Sequence, residues 1–79
     1  MYIDITLDLK KYNQEKIDLR ISDHNTIHEL IQITWKLAGI SQPPGDGDWI
    51  RVVNKQRVLS GPGTLEGYGI TSGDRIELL

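Results

Sequence analysis

The chain contains no cysteine. Disulfides, a thiolate nucleophile and a cysteine-based zinc site are therefore excluded together. Long apolar runs are missing too, the longest being two or three residues, far short of the roughly 20 that a membrane-spanning helix needs. The opening "MYIDITLDLK" alternates from its second residue and has neither the basic start nor the apolar block of a signal peptide. No leader is expected, and the expected compartment is the cytoplasm. Charge of one sign is also scarce: nine Lys and Arg against eleven Asp and Glu leave a formal charge of −2. Affinity for nucleic acid rests on neutralising phosphates, so nucleic acid is not an expected partner. The short pair Lys10-Lys11 reads as solvated turn residues. Internal repeats, linkers and low-complexity stretches are lacking.

What remains is 79 residues, 38% hydrophobic and 25% charged. This is the balance of one globular domain over 1–79, near the size at which a single core just suffices. Ile3, Ile5, Leu7 and Leu9 alternate with Tyr2, Asp4, Thr6 and Asp8. Ile17, Leu19 and Ile21 alternate with Lys16, Asp18 and Arg20. Period two with one apolar face predicts an antiparallel hairpin on a core, joined by the short polar "KKYNQE".

"TIHELIQITWKLAG" switches to helical spacing. Thr26 with Glu29 three residues on fits a capping box. Ile27, Leu30, Ile31, Thr34 and Ala38 share one side, and Gly39 suits the left-handed position that ends a helix. "SQPPGDGD" reads as an irregular connection. "WIRVV" follows as a strand, "NKQ" as a turn and "RVLS" as a further strand. "GPG" at 61–63 breaks the chain, "TLEGYGI" reads as a short helical turn with Leu65 and Ile70 inward, and "RIELL" forms the last strand. Strand, strand, helix and three more strands is the β-grasp order. The expected fold is α+β, a five-stranded mixed sheet with one helix packed on one face. The last strand would run parallel to the first, in the middle of the sheet.

Candidate chemistry is thin, and no catalytic, cofactor-binding or metal-binding residue is expected. His24 and His28 are four apart, but Thr26 as the cap leaves His24 ahead of the helix, with no third ligand evident. Asp46 and Asp48 lack the remaining oxygen ligands of a calcium loop. Asp4 and Asp8 share a strand face without a pocket that would separate their pKa values. The glycines at 61, 63, 67, 69 and 73 fit no phosphate-loop pattern. The serines at 22, 41, 60 and 72 lack the setting of a nucleophile elbow.

Contact residues are the stronger candidates. Trp35 lies near the edge of the helix stripe, and Trp49 opens the third strand. Each is either core-rim packing or an exposed anchor for a partner. Ile33 and Leu37 widen the apolar surface of the helix beyond one face. Arg51, Lys55 and Arg57 make the third hairpin basic, as a solvated face or as a contact for an acidic segment. The candidate partner-binding residues are Ile33, Trp35, Leu37, Trp49 and Arg51.

With these residues in place, the sequence resembles ubiquitin-like domains. "TIHELIQITWKLAGI" is similar to the ubiquitin helix, with Thr26 as its cap and Gly39-Ile40 at the Gly-Ile that follows. Thr64-Leu65, Tyr68 and Ile70 match a second pattern of that group. More closely, and from end to end, the chain resembles the YukD/EsaB family, small ubiquitin-like proteins of Firmicutes type VII secretion loci. "MYIDITLDLK", "WIRVVNK" and "ITSGDR" carry that likeness. The resemblance implies a non-catalytic accessory or regulatory component of a type VII secretion system that acts through protein contacts. It implies a protein partner, a membrane subunit of the machine among the candidates, and no cofactor. Conjugable ubiquitin-like proteins end in a flexible Gly-Gly tail, whereas "RIELL" ends on a strand, so conjugation is not expected. Ubiquitin's apolar sheet patch is not expected either, because Arg51 would share the outer face with Arg75, Glu77, Asp4 and Arg20. A generic β-grasp scaffold or RNA-associated domain, and a protein modifier or sulfur carrier, are the other classes that this fold accommodates.

Overall fold

A computed structural model of the chain describes residues 1–12, 14–40 and 48–79. Five strands form one sheet: β1 (Tyr2–Asp8), β2 (Ile17–Ser22), β3 (Ile50–Val52), β4 (Arg57–Leu59) and β5 (Arg75–Leu78). Their order across the sheet is β2-β1-β5-β3-β4. One helix, α1 (Ile27–Ala38), carries the chain from β2 to the far half. This is the mixed β-grasp sheet that the element order predicts, with β5 parallel to β1 and antiparallel to β3.

Burial follows the alternation. Ile3, Ile5 and Leu7 of β1, Ile50 and Val52 of β3, and Ile76 and Leu78 of β5 all point into the core. Leu9 is equally buried but lies past the end of β1, and Lys10–Tyr12 form a single 3₁₀ turn closed by the Tyr12 amide on the Leu9 carbonyl. Ile17 and Leu19 differ from the expectation: they are only half-buried, and Ile21 alone of β2 is fully buried. The cause is position, because β2 is an edge strand with a neighbour on one side only.

α1 starts as its sequence predicts. Oγ1 of Thr26 accepts from the Glu29 amide at 3.2 Å, and the Thr26 amide donates to Oε1 of Glu29 at 2.9 Å. Two orphan donors of the first turn are thereby satisfied. Gly39 ends the helix at φ 64°, donating to the Trp35 carbonyl. Ile27, Leu30, Ile31 and Thr34 form the buried stripe, and the Thr34 hydroxyl donates to the Leu30 carbonyl at 2.8 Å, so that hydroxyl is not stranded in the core.

The third strand is shorter than "WIRVV" suggests. Val53–Lys55 leave the sheet as a 3₁₀ turn, and Gln56 takes a left-handed conformation that turns the chain into β4. Residues 64–69 form a turn in which the Tyr68 amide reaches the Thr64 carbonyl, and Leu65 and Ile70 are buried on either side of it. A bridge between Thr26 and Thr64 ties this turn to the start of α1. The connection at 41–47, with Asp46 and Ser41, lies outside the described residues.

Candidate functional site

The five candidate contact residues do not form one surface. Successive helix residues are about 100° apart, so Ile33 and Leu37 occupy one flank of the buried stripe and Trp35 the opposite flank. Ile33 is half-buried against the core, whereas Leu37 is 59% exposed. Trp35 is also half-buried. Its ring meets Tyr12 edge to face, with centroids 4.8 Å apart, and the Tyr12 hydroxyl donates to the Leu79 carbonyl. Trp35 therefore closes the rim of the core and still presents an edge outward. A surface concavity of about 490 Å³ crosses the solvent side of α1, lined by Glu29, Gln32, Ile33, Trp35 and Lys36.

Trp49 and Arg51 belong to the other face. Ile50 and Val52 are buried, so their neighbours in sequence point away from the helix. Trp49 is 48% exposed, and Val58, which pairs with Arg51 across β3 and β4, is 49% exposed. Arg51 bridges to Glu77 on β5 at 3.3 Å. Two apolar side chains thus flank a neutralised Arg at one end of the outer sheet. The other end is polar, with Arg20 3.9 Å from Asp4 and the Thr6 hydroxyl on Asp18 at 2.9 Å.

The remaining basic residues of the third hairpin are committed internally. Nζ of Lys55 lies 2.9 Å from Oδ2 of Asp74 and donates to the Gly69 carbonyl and the Thr71 hydroxyl. Arg57 donates to the Tyr68 carbonyl at 3.1 Å. These cations tie down the segment from Tyr68 to Asp74 while both residues stay exposed. Asp74 itself is buried, and it accepts from Asn54 Nδ2 at 2.8 Å and from the Thr71 amide at 2.9 Å. Burial pushes its carboxyl up, but the Asn54, Thr71 and Lys55 donors together outweigh burial and hold it below the ordinary value.

The two histidines go separate ways. His28 Nδ1 pairs with Asp48 Oδ2 at 2.9 Å. His24 Nε2 stands 3.8 Å from Asp23 Oδ1 and 3.7 Å from Glu66 Oε2. Glu66 comes from the turn that bridges to α1, forty-two residues further along the chain by its numbering. No local spacing could announce that approach. Ser22 and Ser72 accept backbone amides of His24 and Asp4, which is loop-fastening work.

A five-stranded mixed sheet in this order, crossed by one capped helix, defines a ubiquitin-like β-grasp protein. The UBL domain of Plasmodium falciparum Dsk2 has the same fold: its crystal structure superposes with a TM-score of 0.69 over 98% of this chain and 95% of that one, at 18% identity. Within that class the sequence selects a narrower group. Residues 2–78 match the family described as "WXG100 protein secretion system (Wss), protein YukD". The chain is also 53% identical to the ESX secretion system protein YukD of Bacillus subtilis (strain 168), over the full length of both. It belongs to the YukD family of type VII (ESX) secretion proteins.

Proposed function

We propose that the protein is a non-catalytic accessory component of a type VII secretion machine, works in the cytoplasm and acts by docking on another protein subunit. The observation that carries this reading is the family match from residue 2 to residue 78. The described structure adds a compatible surface. Leu37, Trp49 and Val58 are large apolar side chains left in solvent among the polar ones. Among the described residues no helix is long and apolar enough to cross a membrane, so a membrane subunit would be engaged through its water-exposed part.

The helix side is the proposed docking face. Ile33 and Trp35 line its concavity, and Leu37 projects beside it. Ile33 and Trp35 are already held by core packing, so fixing them in a complex costs little additional rotamer entropy. Trp49 and Arg51 on the outer sheet form the competing surface. Photo-crosslinking probes at Leu37 and at Trp49, in cells carrying the secretion locus, separate the two. Capture of a secretion subunit by the Leu37 probe supports the helix face, and capture by the Trp49 probe alone moves docking to the sheet. Normal export in a deletion strain, with no subunit recovered by either probe, contradicts the accessory role.

A further inference from the structure

We infer that Asp23, His24 and Glu66 form a surface site for a divalent transition-metal ion of the zinc type. Each offers one donor atom, and the three atoms lie within 4.8 Å of one another. The donor set is one imidazole nitrogen and two carboxylate oxygens, which suits Zn²⁺ rather than Mg²⁺ or Ca²⁺, whose sites are built from oxygen. Two donors about 2.1 Å from one tetrahedral ion stand about 3.4 Å apart. The two separations from His24 Nε2, 3.8 Å to Asp23 Oδ1 and 3.7 Å to Glu66 Oε2, exceed this by a few tenths of an ångström, and no two donors are more than 4.8 Å apart. His24 is 73% exposed and Glu66 is 67% exposed at their side chains, so that ring and that carboxylate are free to close on the more buried Asp23.

The backbone keeps the site assembled without metal. The Glu66 amide donates to the Asp23 carbonyl at 2.9 Å, and the Asp23 amide donates to the Met1 carbonyl at 2.9 Å. The neighbouring Leu65 amide donates to the Asn25 carbonyl, so two segments distant in sequence are held edge to edge. Little backbone ordering is left for the ion to drive. One competitor is built in: the Met1 amine lies 3.1 Å from the same Asp23 oxygen, and the ion must share or displace it. A site of three protein ligands leaves a further position for water. His28 takes no part, because its ring is already on Asp48.

The test is a ZnCl₂ titration of the full chain without a polyhistidine tag, followed by ¹H–¹⁵N spectra of amides and imidazoles. Saturable shifts are expected at Asp23, His24 and Glu66. His24→Asn should weaken binding at least about tenfold, the scale on which even supporting residues alter metal affinity. His28→Asn should leave it unchanged. The His24 side chain is exposed, and an unchanged spectrum of the metal-free variant confirms that its fold is intact. The proposal is overturned by an absence of shifts at millimolar zinc, by shifts centred on His28 and Asp48, or by equal affinity in His24→Asn.

Discussion

The ammonium of Lys55 sits 2.9 Å from Oδ2 of Asp74, a residue only 2% exposed. Lys55 belongs to the 3₁₀ turn after β3, and Asp74 to the residue just before β5. Asn54 adds a second link, because its Oδ1 accepts from the Arg75 amide at 2.8 Å while its Nδ2 donates to Asp74. The Asp74 carbonyl in turn accepts from the Thr6 amide. One residue therefore fastens the central strand on both sides, by its carboxylate to the turn after β3 and by its backbone carbonyl to β1. Removing the carboxylate takes the counter-charge from Lys55 and the acceptor from the Asn54 and Thr71 donors. Asp74→Ala should lower the unfolding free energy by roughly 2–4 kcal/mol, as read from urea melts. Lys55→Met should cost less, because its side chain is one-third exposed.

The same carboxylate sets an acid dependence. Its folded-state pKa lies below the ordinary 3.8 because its donors outweigh its burial. A depressed folded pKa means that the unfolded chain binds the proton more readily. The stabilisation is therefore complete above the unfolded pKa and is lost as pH falls through the lower folded value. The stability gap between wild type and Asp74→Asn should be large at neutral pH and shrink on acidification below about 3.9. Urea melts of both proteins across that range measure it; a gap constant down to the acid limit contradicts the assignment.

Thr26 both caps α1 and bridges to Thr64. Thr26→Ala should cost about 1–2 kcal/mol, the upper half of the usual cap penalty. Amide exchange should accelerate first in the opening turn of α1.

How far the fold was legible follows from these residues. The Thr26–Glu29 box, the strand alternation and the inward Leu65 and Ile70 are local signals, and each is realised. The central place of β5 followed from element order and the right-handed crossover. Alternation shows which face of a strand is apolar, not how deeply it is covered, and so Ile17 and Leu19 looked more buried than an edge strand allows. Lys55 and Asp74 are two ordinary polar residues until the sheet brings them together, so the basic hairpin reads as a solvated face, which its exposure matches, without the bonds that Lys55 and Arg57 make to loop 68–74. The candidate contacts were legible as residues but not as a surface. Nothing in their spacing separates the helix side, with Leu37, from the outer sheet, with Trp49.

Exposed contact residues should dissociate binding from folding. Leu37 and Trp49 keep 59% and 48% of their surface in solvent. Leu37→Ala should shift stability by no more than about 0.5 kcal/mol. Ile76→Ala, which empties a core position in β5, should cost about 2–5 kcal/mol. If the helix side docks, Leu37→Ala lowers recovery of the secretion partner at unchanged melting temperature, whereas Trp49→Ala does not. Loss of recovery only in Ile76→Ala would show that folding, and not the helix surface, was being measured.

Tyr68 is wrapped by the segment "SGPG", and that wrapping can be taken apart. Its hydroxyl donates to the Ser60 carbonyl at 2.9 Å and accepts from the Gly63 amide at 3.4 Å. Gly61 holds φ at 116°, and a Cβ there would stand 2.6 Å from the hydroxyl oxygen but 3.9 Å from the ring carbon that bears it. Gly61→Ala therefore carries two separable penalties, a backbone one for positive φ and a steric one against a single oxygen. Tyr68→Phe removes that oxygen and both of its hydrogen bonds at a cost of about 1–2 kcal/mol. In the double variant the steric penalty is gone and only the backbone penalty remains, about 1–2 kcal/mol. The two substitutions should thus be less than additive, with a coupling of about 1 kcal/mol or more between contacting residues. Urea melts of the four proteins in the cycle measure it, and strict additivity would mean that Gly61 is required for its backbone alone.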